Sequence, residues 1–199
     1  MTGRVLLLLS LLVLSLVLFT AESAVARGPN PNPIEFIKFS CRATRYPAVC
    51  VQTLTRYAHV IRQNEQQLAI TALTVSMSMT KSSASFMKKM TKVKGIKPRE
   101  HGAVQDCKEN MDNSVDRLNQ SVKEMGLTAA GNVMWRMSNV QTWVSAALTD
   151  QNTCLDGFAH PQMDRNLKAS IRARVVDASQ VTSNALALVN RFASKIETP

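Results

Sequence analysis

Cys41, Cys50, Cys107 and Cys154 are the side chains of this 199-residue sequence whose chemistry is most constrained. All four lie beyond an N-terminal export signal, in surroundings where disulfides persist, and an even count allows two bridges in any of three pairings. Bridging neighbours would close loops of about 10 and 48 residues, which chain-entropy reasoning values at roughly 2.7 and 4 kcal/mol. The second bridge would then staple two long helices together. Metal binding is the other use of such residues, but no C-x-x-C step occurs and His59, His101 and His160 lie far from the cysteines in sequence. No zinc site, other metal site or cofactor is therefore expected.

Charge supplies the second candidate chemistry. Lys88, Lys89, Lys92, Lys94, Lys97 and Arg99 place six cations in twelve residues without an acid among them, and Arg165, Lys168 and Arg172 add a stripe at helical spacing. Either these are solvated charges placed favourably against a helix dipole, or they hold a polyanion such as pectate through many salt-sensitive contacts. Asn119-Gln120-Ser121 is an N-glycosylation sequon. The run Thr74, Ser76, Ser78, Thr80, Ser82, Ser83 and Ser85 gives one segment a small uncharged face, suited to close helix packing or to docking. Trp135 and Trp143, with ten methionines in the chain, read as core or boundary packing. No G-x-S-x-G elbow, glycine-rich phosphate loop or H-E-x-x-H motif occurs, so no catalysis is expected.

The elements that position these residues follow from composition and periodicity. With 45% hydrophobic residues but only 5% aromatics, 7 Gly and 7 Pro, the chain can fill a core yet lacks the turns and aromatics of a β-sandwich or barrel, so the expected class is all-α. Residues 1–26, with an apolar run from Val5 to Phe19 and the step Ala24-Val25-Ala26, read as a secretory signal peptide. The run is about 15 residues, short of the ~20 that span a bilayer. Its removal takes away Arg4 and Glu22 and leaves the net charge at +10. Export argues against nucleic acid as the partner, and with no second apolar run or hydrophobic tail the mature chain is expected to hold no membrane anchor.

Residues 27–33 (RGPNPNP) read as an extended lead, and 34–64 as a short helical hairpin bent at Tyr46-Pro47. Residues 66–196 carry four segments with apolar residues at spacings of three and four. The first has Leu68, Ala72, Val75, Met79, Phe86, Met90 and Val93, and the second Val104, Cys107, Met111, Val115, Leu118, Val122 and Met125. The third has Val133, Met137, Val140, Val144 and Ala147, and the fourth Leu167, Ile171, Val175, Ala178, Val181, Ala185, Leu188 and Phe192. Gly95 with Pro98, Gly126 with Thr128, and Gly157 with Pro161 and Asp164 supply the breaks. Four stripes joined by short connections predict an up-down-up-down four-helix bundle, monomeric because the stripes are consumed internally.

The cysteine frame and the segments around it resemble the plant invertase and pectin methylesterase inhibitor family. The matching pieces are CRATRYPAVC from Cys41 to Cys50, DCKENMDNSVDRL from Asp106 to Leu118, MSNVQTWVSAALTDQNTCLDGF from Met137 to Phe158, and VTSNALALVN from Val181 to Asn190. The resemblance covers about Ile34 to Phe192 and implies a four-helix bundle with an N-terminal hairpin. It also implies the pairing of Cys41 with Cys50 and of Cys107 with Cys154, and no catalysis. It further implies a secreted protein of the apoplast and cell wall that forms a one-to-one complex with pectin methylesterase, covering the cleft where methyl-esterified homogalacturonan binds. Acid invertase is the alternative target in the same family, although the Pro-Lys-Phe stretch associated with invertase inhibitors is missing from this sequence. A wall-binding protein retained by pectate, without an enzyme target, is the third reading.

Carried over position by position, the resemblance makes Thr153 and Asp156, of the step Thr153-Cys154-Leu155-Asp156, candidate partner contacts. Glu109 and Asp116 match acidic positions of the family and, seven apart, fall on one helical face. Two positions depart from the pattern: Met111 stands where Tyr is common, and Asn113 where Asp is usual.

Overall fold

The computed structural model describes residues 32–127 and 132–197. The signal peptide expected over 1–26 lies outside them, as does Thr128. Helices α1 (Pro33–Cys41) and α2 (Pro47–Leu54), a 3-10 turn (Thr55–Tyr57) and the single-turn α3 (Ala58–Ile61) precede four long helices, α4 (Glu65–Met90), α5 (Pro98–Gly126), α6 (Val133–Asp156) and α7 (Arg165–Glu197). Pro33, expected to end the extended lead, is instead the first helical residue. Asn32 caps it, its Oδ1 accepting from the Ile34 N–H at 3.0 Å, and proline's fixed φ and missing N–H suit that position.

The long helices form an antiparallel ring in which each packs on two neighbours: α4 on α5, α5 on α6, α6 on α7, and α7 back on α4. Cross-links fix the directions. Cys107 pairs with Cys154, the Ser114 hydroxyl donates to the Ala147 carbonyl at 3.1 Å, and Arg136 meets Glu124, so α5 and α6 run opposite ways. The Ser76 hydroxyl meets Thr182 at 2.7 Å while Arg191 reaches Glu65, which does the same for α4 and α7. The architecture is an up-down-up-down bundle with an N-terminal hairpin closed by the second disulfide, Cys41–Cys50.

The breaks follow the turn chemistry with one correction. Gly95 adopts φ +86, a conformation L side chains avoid, and Pro98 starts α5. Asp164 caps α7, accepting from the Leu167 N–H at 2.8 Å. Between α5 and α6, however, Gly126 is still helical and Asn132, not Thr128, is the cap, accepting from the Trp135 N–H.

The buried side chains form two apolar clusters. One, at the hairpin end, gathers Ile37, Leu54, Ile61, Leu68, Leu73, Leu118, Met125, Met137, Val144 and Leu188; the other, at the far end, gathers Met87, Val104, Met111, Phe158, Ile171 and Val175 around the Cys107–Cys154 bridge. Each fully buried aliphatic side chain contributes about 1.5–3 kcal/mol. Between them lies a polar layer. The Gln151 amide nitrogen sits 3.1 Å from the Thr80 hydroxyl, 2.9 Å from that of Ser114 and 3.0 Å from that of Thr182. Those three hydroxyls donate in turn to the carbonyls of Ser76, Ala147 and Ala178, so their oxygens are free to accept.

This layer shifts the inward face of α4 away from its apolar stripe. Ser76, Thr80 and Ser83 are buried while Val75, Met79, Phe86 and Met90 are only half-buried on the flanks, and Val93 lies beyond the helix. Small hydroxyl side chains satisfy themselves on nearby carbonyls and allow close helix approach, so they compete for the core better than their polarity suggests. The close-packing reading of the Ser and Thr run thus holds for Ser76, Thr80 and Ser83, whereas Thr74, Ser78, Ser82 and Ser85 are exposed. Trp143 is half-buried, but Trp135 is 62% exposed and packs no core.

Candidate functional site: the face of α5 and α6 and the basic end of the bundle

Helices α5 and α6 form a braced pair. The disulfide joins them at one end, Ser114 bonds across the middle, and Arg117 holds Asp150 at 2.9 Å and Arg136 holds Glu124 at 3.2 Å toward the other. A pair locked at four levels can present side chains to a partner with little loss of freedom on binding. On its outer side Glu109, Asn113 and Asp116 are exposed along one face of α5, at spacings of four and three. Glu109 and Asp116 therefore share a face, with about 10 Å of helix between them. Beside Glu109 on the same helix, Lys108 bonds Asp112 at 2.7 Å, and that carboxylate pushes the ammonium above its ordinary value.

Thr153 and Asp156 flank Cys154 at the end of α6 and are exposed. The Thr153 hydroxyl donates to the Thr149 carbonyl at 3.0 Å, leaving its oxygen free to accept. Asp156 is the last residue of α6, where helix carbonyls gather and an acid is disfavoured by about 0.3–1 kcal/mol. A carboxylate in that position suits a cationic or donor group brought by a partner. Among the described residues no hydrogen bond or ion pair joins Glu109 or Asp116 to Thr153 or Asp156. They are instead grouped by the disulfide, since Glu109, Thr153 and Asp156 lie within two residues of one or other of its cysteines.

Met111 corrects the sequence reading. It is fully buried in the cluster around the disulfide, so this departure from the family pattern lies in the core beneath the face. Asn113, the other departure, is exposed between Glu109 and Asp116. The sequon also looks different in three dimensions. Asn119 is half-buried in mid-helix and the Ser121 hydroxyl is buried, donating to the Arg117 carbonyl at 2.9 Å, so glycan transfer would have to precede folding.

The basic run spans the end of α4, the loop and the first turn of α5. Only Lys88 and Lys89 sit in the last turn of a helix, where cations are favourable; Lys97 and Arg99 stand at the start of α5 and Arg165 opens α7, where they are not. Beneath them, buried Glu100 accepts from the Lys97 N–H at 3.3 Å and from the Asp164 N–H at 2.8 Å, tying the starts of α5 and α7 together. Sequence reasoning missed this clamp, and also Asn184. The Asn184 side chain accepts from the Tyr46 N–H and donates to the Tyr46 carbonyl, both at 2.9 Å, and so fixes the hairpin bend to α7. Neither interaction has a local signal, because the partners are 64 and 138 residues apart. Among the described residues no cluster of His, Cys, Asp or Glu is placed to hold a metal, and no helix is long and apolar enough to cross a membrane.

A disulfide-stapled helical bundle with a braced polar face has the form of a binding protein. Comparison with known proteins makes this specific: the sequence model of the plant invertase/pectin methylesterase inhibitor family matches residues 35–188, and the chain belongs to that family. It is 51% identical over 189 residues to the 21 kDa protein of Daucus carota, covering 94% of this chain and 96% of that one. It is 50% identical over 190 residues to pectinesterase inhibitor 9 of Arabidopsis thaliana, covering 92% and 93%. The crystal structure of a mutant form of a pectin methylesterase inhibitor from Arabidopsis superposes with a TM-score of 0.61 at 20% identity, covering 75% of this chain and 92% of that one, and shares the fold.

Proposed function

We propose that this protein inhibits pectin methylesterase by forming a one-to-one complex that covers the pectin-binding cleft and limits demethylesterification of cell-wall homogalacturonan. The observation that carries this reading is the 50% identity to pectinesterase inhibitor 9 over nearly the whole of both chains. Glu109, Asp116, Thr153 and Asp156 then fix register on the enzyme through hydrogen bonds from the braced α5 and α6, while shape complementarity and a few buried anchors supply most of the affinity. The protein performs no chemistry itself. It is secreted to the apoplast after loss of residues 1–26, and is a monomer when free because the apolar faces of the helices are used within the bundle.

Because the matching family also takes its name from invertase, the test is paired. Oxidised protein lacking residues 1–26 is titrated against a plant pectin methylesterase on methylated pectin, and against an acid invertase on sucrose, at mildly acidic pH. Inhibition of the esterase alone is expected. Inhibition of invertase alone would move the target within the family, and silence in both would leave a wall protein without an enzyme target. Alanine at Glu109, Asp116, Thr153 or Asp156 is expected to weaken inhibition by ~1–4 kcal/mol where the residue is a hot spot. Four variants that inhibit like wild type would refute this contact map.

A further inference from the structure

A cavity of about 570 Å³ opens at the basic end of the bundle, where the end of α4 and its loop approach the first turns of α5 and α7. Its size falls within the range of small-ligand sites. Aliphatic groups from Met90, Ile96 and Leu167 line it. Lys94 and Lys97 stand on one wall, and Asn166 and Ser170 on the wall contributed by α7.

The acids that also reach this cavity are already engaged. Both oxygens of Glu100 are taken by the backbone N–H groups of Lys97 and Asp164, and Asp164 caps α7. The lysines are not: among the described residues neither Lys94 nor Lys97 forms an ion pair, and the same holds for Lys88, Lys89, Lys92 and Arg99 around them. The Ser170 hydroxyl spends its hydrogen on the Leu167 carbonyl at 2.8 Å, which leaves its oxygen to accept from a ligand hydroxyl. The site thus offers an aliphatic surface, cations for a carboxylate, and an amide and a hydroxyl oxygen for ligand hydroxyls. Single-stranded nucleic acid would instead call for aromatic stacking platforms, and the residues lining this cavity are not aromatic.

We propose that this cavity binds a galacturonate unit of de-esterified homogalacturonan, with the surrounding lysines following the neighbouring carboxylates along the chain. The inference rests on the inhibitor reading above, because the acidic polymer is what a pectin methylesterase leaves behind. The inhibitor would then be held where the enzyme has been working, by a surface separate from the face of α5 and α6. Each methyl ester removed adds one carboxylate, so the attraction grows with the progress of the reaction being inhibited.

The test is direct binding of the oxidised protein, without enzyme, to oligogalacturonate, to the same oligomer fully methyl-esterified, and to oligo-dT, by calorimetry at moderate salt. Lys94→Glu with Lys97→Glu is compared with Lys81→Glu with Lys123→Glu, an equal charge change at exposed positions outside the cavity. We expect the first pair to weaken oligogalacturonate binding about tenfold or more, the second pair to weaken it much less, and the esterified oligomer not to bind. Equal weakening by both pairs, equal binding of the esterified oligomer, or binding of oligo-dT as tight as that of oligogalacturonate would overturn the proposal. Circular dichroism and the esterase assay on the same samples check that the variants fold. Inhibition without oligogalacturonate binding sinks this inference alone, whereas binding without inhibition sinks the inhibitor reading and leaves the site.

Discussion

Gln151→Glu changes a single atom type at the centre of the polar layer, and its effect on stability is set by the hydroxyls around it. The amide nitrogen of Gln151 faces the oxygens of Thr80, Ser114 and Thr182, each of which has already committed its hydrogen to a backbone carbonyl. A carboxylate there would face three lone pairs and receive no hydrogen unless a hydroxyl abandoned its carbonyl. Burial without donors raises a carboxyl pKa by as much as 3–5 units, so the substituted side chain stays protonated in the fold and keeps one hydrogen to donate. The unfolded chain titrates near 4.3, so below about pH 4 the variant should lose only about 1 kcal/mol against wild type. As pH rises the unfolded state releases its proton and the folded state does not. The gap therefore widens by about 1.4 kcal/mol per pH unit, adding almost 4 kcal/mol by about pH 7. For a chain of this size that is an extra fall of roughly 7–15 °C in Tm. Thermal melts of both proteins at pH 4 and 7, followed by circular dichroism, measure the difference of differences. A gap of equal size at both pH values would mean that the hydroxyls turn to solvate the charge, and that the layer is not wired as described.

Three other outcomes follow from the same structure. Glu65 accepts from Arg191 and Lys195; burial acts to raise its carboxyl pKa, but these two hydrogen bonds and the attraction of both cations outweigh it and hold the group below its ordinary 4.5. Its contribution is therefore present above about pH 4.5 and is lost as pH falls through the depressed value of the folded state, so Glu65→Gln should cost about 1 kcal/mol at pH 6 and progressively less as the solution is acidified, and a difference that does not shrink refutes the assignment. Replacing Cys107 and Cys154 by alanine should cost about 4 kcal/mol against about 2.7 for Cys41 and Cys50, measured as urea midpoints, and the reverse order would contradict the loop-closure reasoning. Arg62 holds φ +53 in the tight turn before α4, a region that suits glycine, so Arg62→Gly should gain about 1 kcal/mol in the same measurement, whereas a loss would show that the side chain offsets the backbone.

Much of the architecture was legible because it is written in short range. The stripes of α5, α6 and α7, Gly95 with Pro98, and Asp164 before Leu167 each act within a few residues, and they gave four helices and most of the connections. What escaped is what depends on distant partners. Gln151 looks like a solvent residue until three hydroxyls from three other helices surround it. Ser76 and Thr80 look exposed until those same contacts draw them inward and displace Val75 and Met79. Of the candidate contacts, Glu109, Asn113, Asp116, Thr153 and Asp156 all proved accessible, because a polar residue outside an apolar stripe is a local property. Met111 did not, because it belongs to the apolar stripe of α5 and its side chain fills the core.

The clasp between Asn184 and Tyr46 bears on how the chain is made. Synthesis proceeds from the N-terminus, so the hairpin bend emerges well over a hundred residues before the side chain that secures it. The Cys41–Cys50 bridge, spanning nine positions, can be oxidised as soon as its own segment is clear, whereas Cys107 must wait for Cys154, and both precede Asn184. A nascent chain halted before that residue would carry both disulfides and no clasp, with the hairpin bend untied from its last helix. Completion of this fold thus waits on its last helix, whose arrival ties down a bend at the opposite end of the sequence.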